Sequence, residues 1–360
     1  MKKKILVVDD SALMRRVLCD IIDSDERFQV VDKANNGEEA LDLLSKNQYD
    51  AVVLDVNMPK MNGLQLLEEL RKRKISARVM MASTDTREGA KTTLDALELG
   101  ALDFIHKPDS AVDCRGESFK NNLLRILDVV TNSRPPVFTT VERIRDNQQT
   151  AAKMADLAKK FSGKIPGSKL VAIASSTGGP KSLQSVIPKL PAGLDAPVLL
   201  VQHMPKGFTA SLAERLNDLS QVKVKEAKEG DELQSGTVYV AMGGMHMNVK
   251  TAPNGKYTIH YSDEPTREGV KPCANYMYES LSDSRFDKIV CVVMTGMGAD
   301  GTEGIKNLEA KKKIHVIAQD QETCVVYGMP KSVVNAGLSD QVVPLEQLAQ
   351  EIILNVGVKA

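Results

Sequence analysis

The feature that most constrains the fold is a regular alternation of apolar runs and amphipathic stretches over the first 130 residues. Apolar runs occur in ILVVDD, FQVVDKA, DAVVLDV, ARVMMAS and ALDFIHKP, and the stretch after each run has the apolar spacing of a helix. Strands that are apolar on both faces belong to a parallel sheet covered by helices on both sides. We therefore predict a five-stranded, doubly wound, flavodoxin-like α/β domain over residues 1–130, with its site at the carboxyl ends of the strands.

A change in composition separates this domain from the rest of the chain. Residues 131–168 contain SRPPV, a long polar stretch and SGKIPGSK, which together predict an inter-domain linker. The alternation then resumes in KLVAIASS, APVLLVQHM, VKVKEA, TVYVA, KYTIHYS, KIVCVVMTG and IHVIAQD. We predict a second doubly wound α/β domain over residues 169–358.

Charge and cysteine usage limit the classes of protein and partner. The chain has 47 Lys plus Arg and 47 Asp plus Glu, so its net charge gives no argument for a nucleic-acid or membrane partner. No apolar run approaches the ~20 residues that span a bilayer, and MKKKILVVDD does not fit a signal peptide. The five cysteines are scattered and suit reduced thiols. We expect a cytoplasmic monomer that neither binds nucleic acid nor inserts into a membrane.

Polar residues stand at the ends of the predicted strands in the first domain: Asp9, Asp10, Asp55, Ser83 and Lys107. Carboxylates brought together repel one another unless a cation lies among them, and oxygen ligands suit Mg²⁺. An adjacent lysine and hydroxyl would serve a phosphoryl group on a carboxylate. The alternative is that the aspartates cap the following helices.

This domain resembles a response-regulator receiver over its whole length, and MPKMNGL fits the loop after the acceptor aspartate. The resemblance implies that a histidine kinase donates a phosphoryl group in the presence of Mg²⁺. It assigns phosphorylation to Asp55, metal binding to Asp9, Asp10, Asp55 and Asn57, and the switch positions to Ser83 and Lys107.

A receiver is an input domain, so the second domain should be what it controls. A DNA-binding output would be short, helical and basic on one face. The second domain is instead long, rich in predicted strands and without a concentrated Lys/Arg face. These features favour an enzyme.

Candidate catalytic residues follow three predicted strands of the second domain. KLVAIASSTGGP reaches Ser175 and Ser176, APVLLVQHMP reaches His203, and KIVCVVMTGMGADG reaches Asp300. A serine nucleophile needs a base that is oriented by a carboxylate. Loop glycines and the N–H of Thr177 could form an oxyanion hole. The alternatives are a serine at a helix N-cap and a phosphate-binding TGMGADG loop.

The remaining histidines are weaker candidates for the base. His106 lies in the first domain, whereas His260 and His315 lie in predicted strands, where a structural role is expected. His246 is predicted in the glycine-rich loop GGMHMNV and is a candidate for a binding role.

ASSTGGP, VQHMPKGFTASLAERL, TGMGADGTEGI and CVVYGMPKSVV resemble the catalytic domain of the chemotaxis protein-glutamate methylesterases, the CheB family. The resemblance implies a triad of Ser176 as nucleophile, His203 as general base and Asp300 as orienting carboxylate. It places the oxyanion donors on the backbone of Thr177 and Met297. It implies hydrolysis of glutamate γ-methyl esters on chemoreceptors, with release of methanol, deamidation of receptor glutamines in some members, and no cofactor in this domain.

The domain order suggests how such an enzyme is regulated. We hypothesise that the unphosphorylated receiver packs over the catalytic face and that phosphorylation of Asp55 loosens this packing. Two competing functions are a phosphorylation-regulated binding protein that has lost catalysis, and a serine hydrolase that acts on a free small molecule.

Overall fold

The computed structural model describes residues 1–84, 87–108, 114, 116–135 and 165–359. The chain divides into two compact units, Met1–Thr140 and Val141–Ala360. Most of the predicted linker lies outside the described residues, and the predicted domain limits stay a prediction. Among the described residues, no helix is long and apolar enough to cross a membrane.

The described part of unit 1 is a parallel sheet with strand order β2-β1-β3-β4-β5 and helices between successive strands, as predicted. Its elements are β1 (Lys3–Val8), α1 (Ala12–Asp23), β2 (Phe28–Ala34), α2 (Gly37–Lys46), β3 (Ala51–Asp55), α3 (Gly63–Lys72), β4 (Val79–Thr84), α4 (Arg87–Leu99), β5 (Asp103–Lys107) and α5 (Glu117–Asn132).

Local sequence explains where the first helices begin. The side chains of Ser11, Asn36 and Asn62 each accept a hydrogen bond from a backbone N–H in the first turn of α1, α2 and α3. Such caps satisfy donors that the helix leaves unpaired. Every residue of the central strand β3 is buried, which requires helices on both faces of the sheet. The strand ends and the short loops that follow them form the edge on which polar side chains meet.

The described part of unit 2 is built on a parallel sheet with strand order β14-β13-β12-β6-β7-β9-β8, plus the antiparallel pair β10-β11. Its elements are β6 (Lys169–Ser175), α6 (Gly179–Val186), β7 (Val198–Gln202), α7 (Phe208–Leu219), β8 (Lys223–Glu226), β9 (Thr237–Val240), β10 (His246–Thr251), β11 (Tyr257–Ser262), α8 (Ala274–Ser280), β12 (Lys288–Val293), α9 (Thr302–Glu309), β13 (Ile314–Gln319), α10 (Met329–Asn335), β14 (Gln341–Val343) and α11 (Leu348–Val356).

The strand order of unit 2 changes direction at β6. From β6 the chain proceeds to β7 on one side, and it later returns to β12 on the other side. Such a switch point opens a crevice at the carboxyl ends of the strands, where ligands bind in open α/β sheets. The three predicted catalytic residues follow these three strands.

Seven predicted strands of the second domain are present, and β10 and β14 are additional. The prediction that His246 lies in a glycine-rich loop is wrong, because His246 is the first residue of β10 and is fully buried. Gly243 and Gly244 precede this strand closely. The strand is nevertheless stabilised by pairing with β11, where His246 faces Ser262, and by packing of Met247 and Val249 in the core of unit 2. Strand β14 has only three residues, too few to produce a periodic pattern.

Candidate functional site

The predicted phosphorylation site of unit 1 is built around a buried lysine. Lys107 Nζ lies 2.6 Å from Asp55 Oδ1 and 3.1 Å from Asp9 Oδ2. Ser83 on the neighbouring strand β4 is 1% exposed, and its hydroxyl donates to the carbonyl of Gly89 at 3.4 Å. The structure thus brings the four predicted residues that end β1, β3, β4 and β5 to one edge of the sheet.

Three carboxylates at this edge suit a divalent cation. One carboxylate oxygen each of Asp9, Asp10 and Asp55 lies within 4.8 Å of the other two. Asp10 is exposed, whereas Asp9 and Asp55 are buried, so the cluster opens to solvent on the Asp10 side. Asn57 is exposed in the loop after β3. This set of hard oxygen donors fits Mg²⁺.

The charge balance of this carboxylate cluster also favours a bound cation. Burial raises the pKa of Asp9 and of Asp55, and the nearby charge of Lys107 offsets this effect only in part. Burial lowers the pKa of Lys107, but attraction to Asp55 and Asp9 outweighs it, so the pKa is raised. The positive charge of Lys107 alone therefore does not neutralise the negative charges of the Asp9, Asp10 and Asp55 carboxylates.

In unit 2, Ser176 and His203 directly follow the neighbouring strands β6 and β7, at equivalent positions in the strand pairing. Ser175 of β6 pairs with Gln202 of β7, and the backbone N–H of His203 donates to the carbonyl of Ser175 at 3.1 Å. On the other side of β6, the N–H of Ser176 donates to the carbonyl of Thr295 at 3.0 Å. Ser176 therefore lies between the ends of β7 and β12.

Two glycines determine the path of the chain at Ser176. Gly178 is the N-cap of α6 with φ of 76°, a left-handed conformation that glycine adopts without a Cβ penalty. Gly296, after β12, packs so closely that an added Cβ would lie 2.8 Å from Ser176 Cβ and would overlap Met329 Sδ. The glycine-rich loops thus allow a close approach of backbone to the serine.

We expect Gly296→Ala to lower kcat/KM by roughly 10²-fold, because the new methyl group displaces Ser176 from its position near His203. Steady-state kinetics on the full chain measures this loss. Gly230→Ala is the control for a general effect of a glycine-to-alanine change, since Gly230 has a positive φ, which Gly296 lacks, but an added Cβ there meets no atom within 4 Å. An equal loss of kcat/KM in both variants would contradict a specific effect on Ser176.

His203 and Asp300 are joined by a short polar contact, with His203 Nε2 2.7 Å from Asp300 Oδ2. A carboxylate can only accept, so Nε2 carries the proton and Nδ1 is the nitrogen that can take a proton from a serine. The structure therefore confirms the predicted proximity of this histidine and this carboxylate.

Asp300 is 1% exposed and accepts three further hydrogen bonds. Its Oδ1 accepts from Cys273 Sγ at 3.0 Å and from the N–H of Asn275 at 2.9 Å, and its Oδ2 accepts from the N–H of Ala274 at 2.6 Å. Burial raises the pKa of this carboxyl, but the bonds from His203, Cys273 and the backbone outweigh burial, so the pKa is lowered. Asp300 is therefore ionised and fixed in position.

The described residues show no hydrogen bond between Ser176 Oγ and the His203 ring. Ser176 is 7% exposed, while the hydroxyl of Ser175 donates to Gln202 Oε1 at 2.7 Å. Of these two serines, Ser175 is therefore the one whose hydroxyl is bonded to a side chain of a neighbouring strand. Catalytic hydrogen bonds are often absent or long without substrate and form in the complex.

Four buried residues position the candidate triad, although their sequence pattern predicts no role for them. Gln202 Nε2 donates to the carbonyls of Ser176 and His203, at 3.0 and 3.1 Å. Thr295, Cys273 and Asn275 are also fully buried. The sequence signal for Gln202 was a polar residue that ends an apolar strand directly before a candidate base.

The predicted oxyanion donors lie in the two glycine-rich loops. Thr177 stands between Ser176 and Gly178, and Thr295 Oγ1 donates to the carbonyl of Thr177 at 3.0 Å. Met297 follows Gly296, whose N–H donates to the carbonyl of Val326 at 3.0 Å. These contacts fix the backbone of both loops. The role of the Thr177 and Met297 N–H groups as oxyanion donors stays a prediction.

Comparison with known families matches both units. The family model described as "CheB methylesterase" matches residues 171–352, and that described as "Response regulator receiver domain" matches residues 5–114. These ranges contain the two clusters of polar residues described above.

Relatives align with this chain over nearly its whole length. A Syntrophomonas wolfei protein named protein-glutamate methylesterase/protein-glutamine glutaminase 1 is 41% identical over 98% of this chain and 99% of its own length. A Bacillus subtilis protein named protein-glutamate methylesterase/protein-glutamine glutaminase is 40% identical over 97% of each chain. A crystal structure described as the Thermotoga maritima CheB methylesterase catalytic domain is 42% identical, with a TM-score of 0.50, and covers 52% of this chain and 99% of that chain.

Proposed function

This chain belongs to the CheB methylesterase family, and we propose that it hydrolyses glutamate γ-methyl esters of chemoreceptors and releases methanol. The relatives at about 40% identity are named for glutaminase activity as well, so we propose that the same site deamidates receptor glutamines. The observation that carries the proposal is the 2.7 Å bond between His203 and Asp300, formed beside the turn that holds Ser176.

In the proposed reaction, Ser176 Oγ attacks the γ-carbonyl carbon while its proton passes to His203 Nδ1. The tetrahedral intermediate then collapses, the bond from carbon to the methoxy oxygen breaks, and methanol leaves with the proton from His203. Water repeats the sequence on the acyl-enzyme and regenerates the Ser176 hydroxyl and the glutamate carboxylate. With a glutamine substrate the same steps release ammonia instead of methanol.

Asp300 supports this reaction without accepting a proton. Its ionised carboxylate holds the proton on His203 Nε2 and stabilises the imidazolium that forms when Nδ1 takes the serine proton. The loops of Thr177 and Met297 are the proposed source of N–H donors for the oxyanion. One such donor contributes about 10²–10³ in kcat.

We propose that unit 1 controls this activity through phosphorylation of Asp55 by a histidine kinase. Asp9, Asp10 and Asp55, with the backbone carbonyl of Asn57, would hold Mg²⁺. The ion, when bound, offsets the negative charge of the phosphoryl group.

Lys107 and Ser83 complete the proposed switch. The ammonium of Lys107, already bonded to Asp55, would bind a phosphoryl oxygen, and the Ser83 hydroxyl would donate to another. Ser83 would then exchange its long bond to the Gly89 carbonyl for the phosphoryl group. This exchange would couple phosphorylation to the first turn of α4, which contains Gly89.

We expect a small-molecule phosphodonor with Mg²⁺ to raise methanol release by the wild type, and Asp55→Asn to abolish this rise while keeping the basal rate. The amide cannot be phosphorylated, whereas the catalytic residues of unit 2 are unchanged. Methanol release from a methylated receptor fragment is the measurement. Asp42→Asn, an exposed position on α2, should respond as the wild type does. A full response in Asp55→Asn would reject Asp55 as the phosphorylation site.

A further inference from the structure

His246 is a buried histidine that the proposed reaction does not use. It is fully buried at the start of β10, and its ring packs against the Tyr276 ring of α8 with centroids 4.6 Å apart. A buried imidazole needs a partner for each nitrogen.

Backbone groups on both sides define the proton position on this ring. The N–H of Cys273 donates to His246 Nδ1 at 3.2 Å, so Nδ1 carries no proton. Nε2 lies 3.3 Å from the carbonyl oxygen of Pro265, which can only accept, so Nε2 carries the proton. Burial, with the positive charge of Lys271, lowers the pKa of His246 below its ordinary value of 6.5 and keeps the ring neutral.

The residue bonded to His246 is also a partner of the proposed catalytic carboxylate. Cys273 is the N-cap residue of α8, and its Sγ donates to Asp300 Oδ1. The next two backbone N–H groups, of Ala274 and Asn275, donate to the two oxygens of Asp300. A continuous hydrogen-bonded chain therefore runs from the Pro265 carbonyl through His246, Cys273 and Asp300 to His203.

We propose that His246 is a positioning residue for Asp300. As a neutral imidazole it fixes the N–H of Cys273, and with it the first turn of α8, so that three donors of this turn hold the carboxylate against His203 Nε2. The inference rests on the proposed function because it concerns the geometry of the proposed triad. It assigns no direct contact between His246 and the substrate.

Two substitutions at the same position separate positioning from mere packing. In His246→Asn the side-chain oxygen can take the place of Nδ1 and still accept from Cys273. In His246→Gln the amide reaches the place of Nε2, keeps a donor for the Pro265 carbonyl and leaves the Cys273 N–H without its acceptor. Both side chains are polar, similar in size and uncharged, so their general cost to folding is matched.

The full chain is used for two measurements. Steady-state methanol release from a methylated receptor fragment gives kcat and KM, and proton NMR of the ¹⁵N-labelled free protein reports the His203 Nε2–H that bonds to Asp300. We expect His246→Asn to stay close to wild type in both. We expect His246→Gln to lose about 10- to 100-fold in kcat at unchanged KM, with a shifted Nε2–H resonance, because Asp300 is displaced.

Equal behaviour of the two variants would overturn the inference, whether both keep the wild-type values or both lose activity to the same extent. A wild type that releases no methanol would reject the proposed function. In that case the NMR comparison still decides the inference, because a His203 resonance that is kept in His246→Asn and shifted in His246→Gln supports positioning, and identical spectra contradict it.

Discussion

Ser176→Ala is expected to lower kcat for methanol release by roughly 10⁴- to 10⁶-fold, because removal of the nucleophile eliminates the acyl-enzyme route. The turn around Ser176 is held by backbone contacts to Thr295, Gln202 and Gly179 that an alanine preserves. Binding of a receptor fragment and the melting temperature should therefore stay near wild type. Initial rates at saturating substrate measure the effect.

Ser175→Ala is the matched control, since it removes a hydroxyl from the adjacent residue. The Ser175 hydroxyl donates to Gln202 Oε1, so its loss is expected to cost a hydrogen bond, about 1 kcal/mol of folding stability, while most activity remains. If Ser175→Ala were the inactive variant and Ser176→Ala the active one, the assignment of the nucleophile would be reversed. If both kept full activity, the proposed serine mechanism would be wrong.

Asp300→Asn is expected to lower kcat by about 10⁴-fold through the wrong tautomer of His203. An amide group in the place of Oδ2 would donate to His203 Nε2, which would move the ring proton to Nδ1 and prevent that nitrogen from accepting the serine proton. The opposite amide orientation would place its NH₂ against the backbone N–H of Asn275. Neither orientation satisfies all the donors around residue 300.

The measurement for Asp300→Asn is kcat well below the melting temperature, with circular dichroism to establish the folded fraction. Asp283→Asn, at an exposed position of the same unit, controls for the loss of a negative charge and should retain full activity. A decrease in kcat of less than about tenfold in Asp300→Asn would show that the carboxylate does not orient the base, because removal of a group that acts together with the base lowers kcat far more.

The sheets could be predicted from sequence because their strands are buried on both faces. Runs such as AVVL in β3 and LVAIA in β6 are continuously apolar, which is typical of a parallel sheet covered on both faces. Parallel strands then bring their carboxyl ends together, which is why Asp55, Lys107, Ser176 and His203 could be identified as candidates before any contact was known.

The positions of β10 and of the residues around Asp300 could not be predicted in this way. Cys273 and Asn275 lie 27 and 25 residues from Asp300 in the sequence, and His246 lies 27 residues from Cys273. These residues meet through tertiary contacts that leave no periodic pattern. A buried histidine or cysteine in one sequence has the same appearance whether it packs, binds or positions a neighbour. Their roles depend on hydrogen-bond directions, which only the structure supplies.

The most direct test of the proposed function measures methanol release from a methylated chemoreceptor cytoplasmic fragment. The wild type and Ser176→Ala are compared, each in the presence and in the absence of a phosphodonor and Mg²⁺. We predict methanol release that rises with the phosphodonor and is absent with Ser176→Ala. No release from the wild type under either condition would contradict the methylesterase function, and would favour a receiver-controlled domain that acts by binding.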